Sequence, residues 1–408
     1  MTQKWLAIVG IGEDGLAGLT PIAQFLVEQA QVIAGGDRHL AMLSPSDRRK
    51  KICWTSPIEN SINEILNHRG RSVCVLASGD PLNYGIGTTL LRRVAIEEMT
   101  IIPAPSAFSL ACARLGWSLT EVETLSLCGR SPTLLHVALY PGAQILVLSE
   151  NSRTPGVVAQ LLTEQGWGES QITVLQRMGS DNERVTTGQA ATWAEQDSAS
   201  LSFADLNTLA IALPLQSSPH PLSRLAGIPD TAYHHDGQLT KREVRAITLA
   251  ALAPQPGQLL WDVGAGCGSI GIEWMRSHGR CRAIAIEQNC DRLQLIADNA
   301  TALGTPNLKL VTGQAPAALH DLPEPDAIFI GGGVTAAEMV ETCWDALRSG
   351  GRLVINAVTV ESEQVILQWH SQLGGELSRI AIQRAEPIGK FLGWKAMAPI
   401  TQWRVVKR

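Results

Sequence analysis

The run Asp262-Val-Gly-Ala-Gly-Cys-Gly-Ser sets three glycines, Gly264, Gly266 and Gly268, between an apolar strand-like stretch ending at Val263 and a helical segment opening at Ser269. Glycine lets a backbone turn sharply and approach a ligand, and the amides at a helix start face it. That pattern describes a nucleotide-type pocket at the end of a parallel strand. A dinucleotide fingerprint would put its third glycine at position 269, which is Ser269, so the spacing Gly-x-Gly-x-Gly points elsewhere. The next apolar run, residues 281–286, ends in Glu287, a carboxylate placed to accept both hydroxyls of a ribose.

These groups need strands and helices to hold them. Residues 5–9, 32–34, 72–77 and 100–102 read as buried strands, each followed by a loop and a helical stretch. The loops are Gly10-Ile11-Gly12-Glu13, Ser78-Gly79-Asp80-Pro81 and Pro103-Ala104-Pro105-Ser106-Ala107. Thr20 can cap a helix with Pro21 at its first position. Strands alternating with helices predict an open α/β layer. Residues 124–127, 144–148, 172–176 and 208–213 predict a second, strand-rich half. A proline- and serine-rich stretch then marks a linker over 214–235, separating a domain of residues 1–213 from one of 236–408. Beyond it, Thr240 and Glu243 have capping-box spacing for a helix over 241–252. Strands follow at 308–311, 327–330 and 352–356, and residues 376–383 and 402–406 predict a closing antiparallel hairpin.

With 408 residues, 45% apolar and 17% charged, the composition is that of an ordinary globular protein of two or more domains. The net charge of −5 argues against a general nucleic-acid binder. No apolar run approaches membrane-spanning length, which predicts no membrane partner and a cytoplasmic enzyme. Eight cysteines without a Cys-x-x-Cys pair suggest neither a disulfide framework nor a zinc ribbon, and no metal site is expected. His234-His235-Asp236 lacks further ligands at metal spacing and reads as a surface turn. Trp261 and Trp274, flanking the glycine loop, read as core.

The glycine loop with its preceding acid and Glu287 resembles the Rossmann-like S-adenosylmethionine methyltransferases. The first half, through Val9-Gly10-Ile11-Gly12, Ser78-Gly79-Asp80-Pro81 and Pro103-Ala104-Pro105-Ser106-Ala107, resembles the tetrapyrrole methylase family, whose cofactor lies between two α/β subdomains. The second half resembles the small Rossmann-like methyltransferase of corrin synthesis, through Leu239-Thr240-Lys241-Arg242-Glu243-Val244-Arg245. These resemblances imply S-adenosylmethionine, one per domain. In the first it would be held by Gly79, Asp80, Tyr84, Ser106 and Ala107. In the second it would be held by Thr240, Gly264, Ala265, Gly266, Cys267, Gly268, Glu287 and Ala315, with Ala315 contributing backbone because Gln314 stands where many relatives carry an acid. The implied substrate is a reduced tetrapyrrole bearing several carboxylates, methylated on carbons 5 and 15 with loss of carbon dioxide from an acetate. Such a polycarboxylate needs local cations in an acidic protein, for which Arg38, Lys241, Arg242 and Arg245 are candidates, with His39, Arg384, Lys390 and Lys395 behind them. No general acid or base is assigned, and a homo-oligomer is expected. Two other readings stay open: a single-activity methyltransferase on another small molecule or RNA, and a non-catalytic cofactor sensor.

Overall fold

The structure, a computed structural model, describes residues 4–196, 202–216 and 221–408. The chain divides into two compact units, Met1–Pro132 with Tyr140–Pro219, and Thr133–Leu139 with His220–Arg408.

Among the described residues the first unit carries two five-stranded sheets. In one, β1 (Leu6–Ile11), β2 (Val32–Gly35), β3 (Lys50–Cys53), β4 (Val73–Ser78) and β5 (Met99–Ile102) run parallel in the order β3-β2-β4-β1-β5. Every residue of β1 is buried, as is all of β4 before Ser78. A parallel sheet covered on both faces requires this, and it is why these strands read as unbroken apolar runs. Thr20 caps the helix Pro21–Gln29 by accepting the Ala23 amide, and Ser106 caps Ala107–Leu115 by accepting the Ser109 amide at 3.1 Å. The other sheet contains β6 (Glu123–Ser126), β7 (Gln144–Leu148), β8 (Gln171–Gln176), β9 (Arg184–Gln189) and β10 (Asn207–Ala212) in the order β6-β7-β10-β8-β9. There β6 and β7 are parallel and the other pairs antiparallel. The edge strands β3 and β9 had no sequence signal, because half or more of each is exposed and polar.

In the second unit, β11 (Leu259–Val263), β12 (Arg282–Glu287), β13 (Lys309–Thr312), β14 (Ala327–Ile330), β15 (Arg352–Ala357), β16 (Glu376–Ile380) and β19 (Ile400–Val406) form a sheet ordered β13-β12-β11-β14-β15-β19-β16. Strands β11 to β15 are parallel, and β19 is antiparallel to both its neighbours. The expected closing pair exists, but not as a hairpin. Between β16 and β19 the chain makes a separate two-stranded ribbon, β17 (Gln383–Ile388) and β18 (Phe391–Ala396). Trp261, Trp274 and Trp403 are almost fully buried on the two faces of the large sheet. The expected linker is shorter than its composition implied. Residues 217–220 lie outside the described residues, while Ile228 and Tyr233 are 2% and 5% exposed in the second unit's core. Among the described residues, no helix is long and apolar enough to cross a membrane.

Candidate active sites

In the first unit, Gly10 lies where three backbone segments meet. A Cβ there would stand 2.0 Å from the Gly79 carbonyl oxygen and 2.5 Å from the Ala104 nitrogen, so no side chain fits. The Gly79 amide donates to Ile11 at 3.0 Å, and its carbonyl accepts from Ala104 at 3.2 Å. Both loops are thereby clamped to the end of β1, where they open on a cavity of about 420 Å³. Gly79, Asp80, Tyr84, Ser106, Ala107 and Arg38 all line it. The Asp80 carboxylate accepts the Leu82 amide at 2.8 Å and fixes the turn. Tyr84 has φ of 55°, uncommon for a bulky residue, and its ring stands edge-on to Phe108 with the Arg130 guanidinium 5.2 Å from its centroid. Gly10→Ala should destabilise the protein by about 1–3 kcal/mol, the cost of overpacking a closed site. Thermal unfolding beside Gly279→Ala, whose added methyl meets nothing within 4 Å, measures this; equal melting of the two would refute the clamp.

Arg38 is less free than its sequence position implied. Its guanidinium pairs with Glu13 and donates to Ser78 Oγ at 2.9 Å, with His39 Nε2 3.1 Å away. Because a guanidinium can only donate, His39 Nε2 accepts, and the neutral ring carries its proton on Nδ1. Burial, then the Arg38 charge, lower the His39 pKa to about 4, so the ring is neutral at pH 7. Nδ1 is buried without a hydrogen-bond partner.

In the second unit the glycine loop follows β11. Gly264, Gly266 and Gly268 have φ of 70°, 61° and 81°, the left-handed region that glycine enters without strain. A Cβ on Gly264 would lie 3.1 Å from the Gly332 nitrogen, and one on Gly266 3.1 Å from the Gln238 carbonyl oxygen. The bare backbone opens a cavity of about 510 Å³, within the 300–1,000 Å³ of ordinary small-molecule pockets. Thr240, Gly264, Ala265, Gly266, Glu287, Ala315 and Lys241 line it. Glu287 ends β12, is 5% exposed, and accepts the Gly266 amide on Oε2 and the Gln288 and Asn289 amides on Oε1, each at 3.0 Å. A carboxylate has about four acceptor positions, so the one left for a ligand is on Oε2. Glu287, expected to accept both hydroxyls of a ribose, thus already receives three backbone amides and lines the cavity. Asp262, 1% exposed, accepts the Gly271 amide at 2.9 Å and ties the strand end to the helix Ser269–Ser277. Burial raises its pKa to about 7.

Four residues expected at the ligand do not line the cavity. Cys267 is 2% exposed in the apolar core, and burial raises its thiol to about 11. Gly268 faces Ile296, where a Cβ would come within 2.8 Å; neither residue lines the cavity. The loop amides are also spent internally, Gly264 and Ala265 on the Ile286 carbonyl and Gly268 on Ala265. Arg242 is exposed and off the cavity wall. Arg245, expected to touch substrate, is 0% exposed. It donates to Glu273 at 2.5 Å, to Asp230 at 3.2 Å and to the Thr240 and Ile228 carbonyls, and stacks over Tyr233. The capping box is absent too. Lys241 is the N-cap without a side-chain bond, and Glu243 pairs instead with Arg384, which also holds Asp230. Lys395 pairs with Glu386. Sequence reasoning missed Glu273, which is buried; its signal was an acid inside the otherwise apolar run Ile270–Trp274. It also missed Asn356, which lines the cavity and has no local signal.

Among the described residues no cluster of three or more His, Cys, Asp or Glu side chains is arranged to hold a metal ion. The His235 ring accepts the Gly237 amide at 3.0 Å and Asp236 pairs with Arg292, as a surface turn would.

Two glycine-shaped cavities, one in a tetrapyrrole-methylase-like unit and one at a Rossmann-like strand end, define a two-domain methyltransferase. Residues 6–194 match the Tetrapyrrole (Corrin/Porphyrin) Methylases and residues 231–407 match the Precorrin methyltransferase domain. A precorrin-6Y C(5,15)-methyltransferase [decarboxylating] of Sinorhizobium sp is 48% identical over 408 residues, 100% of this chain and 97% of that one. The protein of the same name from Mycobacterium tuberculosis is 42% identical over 403 residues, 99% of this chain and 100% of that one. The solved C-terminal domain of the Rhodobacter capsulatus precorrin-6Y C5,15-methyltransferase is 47% identical, covering 46% of this chain and 100% of that one, with a TM-score of 0.44. The chain belongs to the precorrin-6Y C(5,15)-methyltransferase (decarboxylating) family.

Proposed function

We propose that the chain methylates carbons 5 and 15 of precorrin-6B, or of its cobalt form, and removes the ring C acetate carboxyl as carbon dioxide, giving precorrin-8. The carrying observation is that each unit, matched by its own methyltransferase family, has a cavity whose approach is left open by glycines. Gly10 has no room for a side chain, and Gly264 and Gly266 have left-handed φ with little room. In this reading the first unit acts on carbon 5 and the second, whose core already includes Ile228 and Tyr233, acts on carbon 15. Each domain holds one S-adenosylmethionine, which supplies an electrophilic methyl. Gly79, Asp80, Tyr84, Ser106 and Ala107 hold it in the first; Thr240, the Gly264–Gly266 loop, Glu287 and Ala315 hold it in the second. The chain's own contribution is placement. The meso carbons of a reduced tetrapyrrole are enamine-like and already nucleophilic, so in-line alignment in the pocket replaces a strong base.

Cations for the substrate's carboxylates are few. Of the described residues lining the second cavity, Lys241 is the cation without a carboxylate partner, since Arg292 is held by Asp236 at 2.8 Å. In the first cavity Arg38 exchanges Glu13 for a substrate carboxylate. Assembly into a homo-oligomer belongs to the same reading; the ribbon β17–β18 supports it, with Phe391, Leu392 and Trp394 exposed by 81%, 73% and 76%. So does residence in the cytoplasm, supported by eight unpaired cysteines.

Purified protein given precorrin-6B and methyl-labelled S-adenosylmethionine should add two methyl groups and release one carbon dioxide per tetrapyrrole. Calorimetric titration should count two donor molecules per chain. A product with a single methyl, or one donor bound, would overturn the bifunctional reading.

A further inference from the structure

The second cavity contains a built amide that the methyl transfer does not use. Asn356 sits at the end of β15 and lines the cavity. Its Nδ2 donates to Thr248 Oγ1 at 2.9 Å, and its Oδ1 accepts from Gln402 Nε2 at 2.9 Å, which also reaches Thr248 at 3.2 Å. Thr248 is 0% and Gln402 5% exposed, so the two anchors are fixed from the helix Arg242–Leu252 and from β19. One N–H and one carbonyl lone pair of Asn356 are left for a ligand.

The sheet gives its place. Register pairs Val263 with Ile330 and Ile330 with Ile355, so Asn356 lies just beyond the level of Val263 and two strands from β11. At about 4.8 Å per strand that is roughly 10 Å to one side of the glycine-loop strand. Glu287 is on β12, on the other side of β11. The amide therefore stands away from Glu287, on the β15–β19 side of the cavity where Val358 and Ile400 also line it. Lys241 starts the helix seven residues before Thr248, about 10 Å along its axis.

We infer that Asn356, oriented by Thr248 and Gln402, holds the acetate carboxylate that leaves as carbon dioxide. The inference rests on the proposed carbon-15 reaction. Methylation at carbon 15 leaves a conjugated imine in the macrocycle. The bond between the acetate methylene and its carboxyl carbon then breaks, releasing carbon dioxide. Its electron pair passes through the methylene into the imine, whose nitrogen receives it. The methylene afterwards takes a proton from water and becomes a ring methyl. A carboxylate that must shed its charge is poorly served by an arginine or lysine, which would stabilise the starting state more than the transition state. A neutral amide in an apolar wall fixes its direction without neutralising it. Thr248 and Gln402 are positioning residues.

The test counts carbon dioxide per carbon-15 methyl with precorrin-6B, and measures S-adenosylmethionine affinity calorimetrically. Wild type should give a ratio of one. Asn356→Ala should lower it to a tenth or less, accumulating methylated tetrapyrrole that keeps its acetate, with donor affinity and carbon-5 methylation unchanged. Thr248→Val should give an intermediate ratio, and Thr248→Ser, which keeps the hydroxyl, should restore it to one. Precorrin-6B affinity measured by absorbance titration without the donor should weaken for Asn356→Ala. A ratio that stays at one in Asn356→Ala, at any overall rate, overturns the inference, as does a loss of donor affinity. Absence of a carbon-15 methyl in wild type would instead count against the reaction proposed above.

Discussion

Glu287→Ala should cut carbon-15 methylation and carbon dioxide release on the order of 100-fold at a fixed donor concentration, with donor binding in the first unit intact. The carboxylate has one acceptor position left for a ribose hydroxyl, and a hydrogen bond to a charged group contributes about 1.5–3 kcal/mol. Each 1.4 kcal/mol is tenfold in affinity. The same side chain receives the Gly266, Gln288 and Asn289 amides, so its loss also loosens the glycine loop. Glu287→Gln keeps one oxygen acceptor and should fall between the two. Donor titration should drop from two molecules per chain to one. If the alanine variant, still folded, bound no donor at all, the two cavities would not act independently.

Arg245→Met should destabilise the second unit by about 3–5 kcal/mol, the cost of breaking a buried ion pair from one side. The Glu273 carboxylate would stay 2% exposed with the Gly227 and Ile228 amides and the Tyr233 hydroxyl as its remaining donors. The Thr240 and Ile228 carbonyls would lose their partner as well. For a unit of this size about 2–4 °C of melting temperature accompanies each kcal/mol, so a fall of about 6–20 °C is expected in a calorimetric scan. Adding Glu273→Met should recover part of it, because the uncompensated charge goes with its partner. Were Arg245 a substrate contact instead, melting would be unchanged and the KM for the tetrapyrrole would rise.

The local grammar of the chain was legible where a physical demand is local. Buried parallel strands are mostly apolar, so β1, β4, β11 and β14 announce themselves, Asp262 being the one buried acid in β11. Glycine enters the left-handed region without the steric cost other residues bear, so three glycines in five positions, Gly264, Gly266 and Gly268, mark their loop. The acid closing β12 lies at a fixed offset from that loop, and the structure places Glu287 on the cavity wall.

What three dimensions alone decided is which polar groups face a ligand and which are spent on the fold. Arg245, Cys267 and Gly268 stand in or next to the motifs, yet the structure turns all three inward. A helix start tells where an arginine begins but not which face the sheet covers, and Glu273, 28 positions away, completes its pair. Asn356 meets Thr248 across 108 positions, and Thr248 meets Gln402 across 154. No spacing rule spans such distances. Hydrogen-bond partners so remote in sequence are set by strand order and register, and these form only when the whole sheet does.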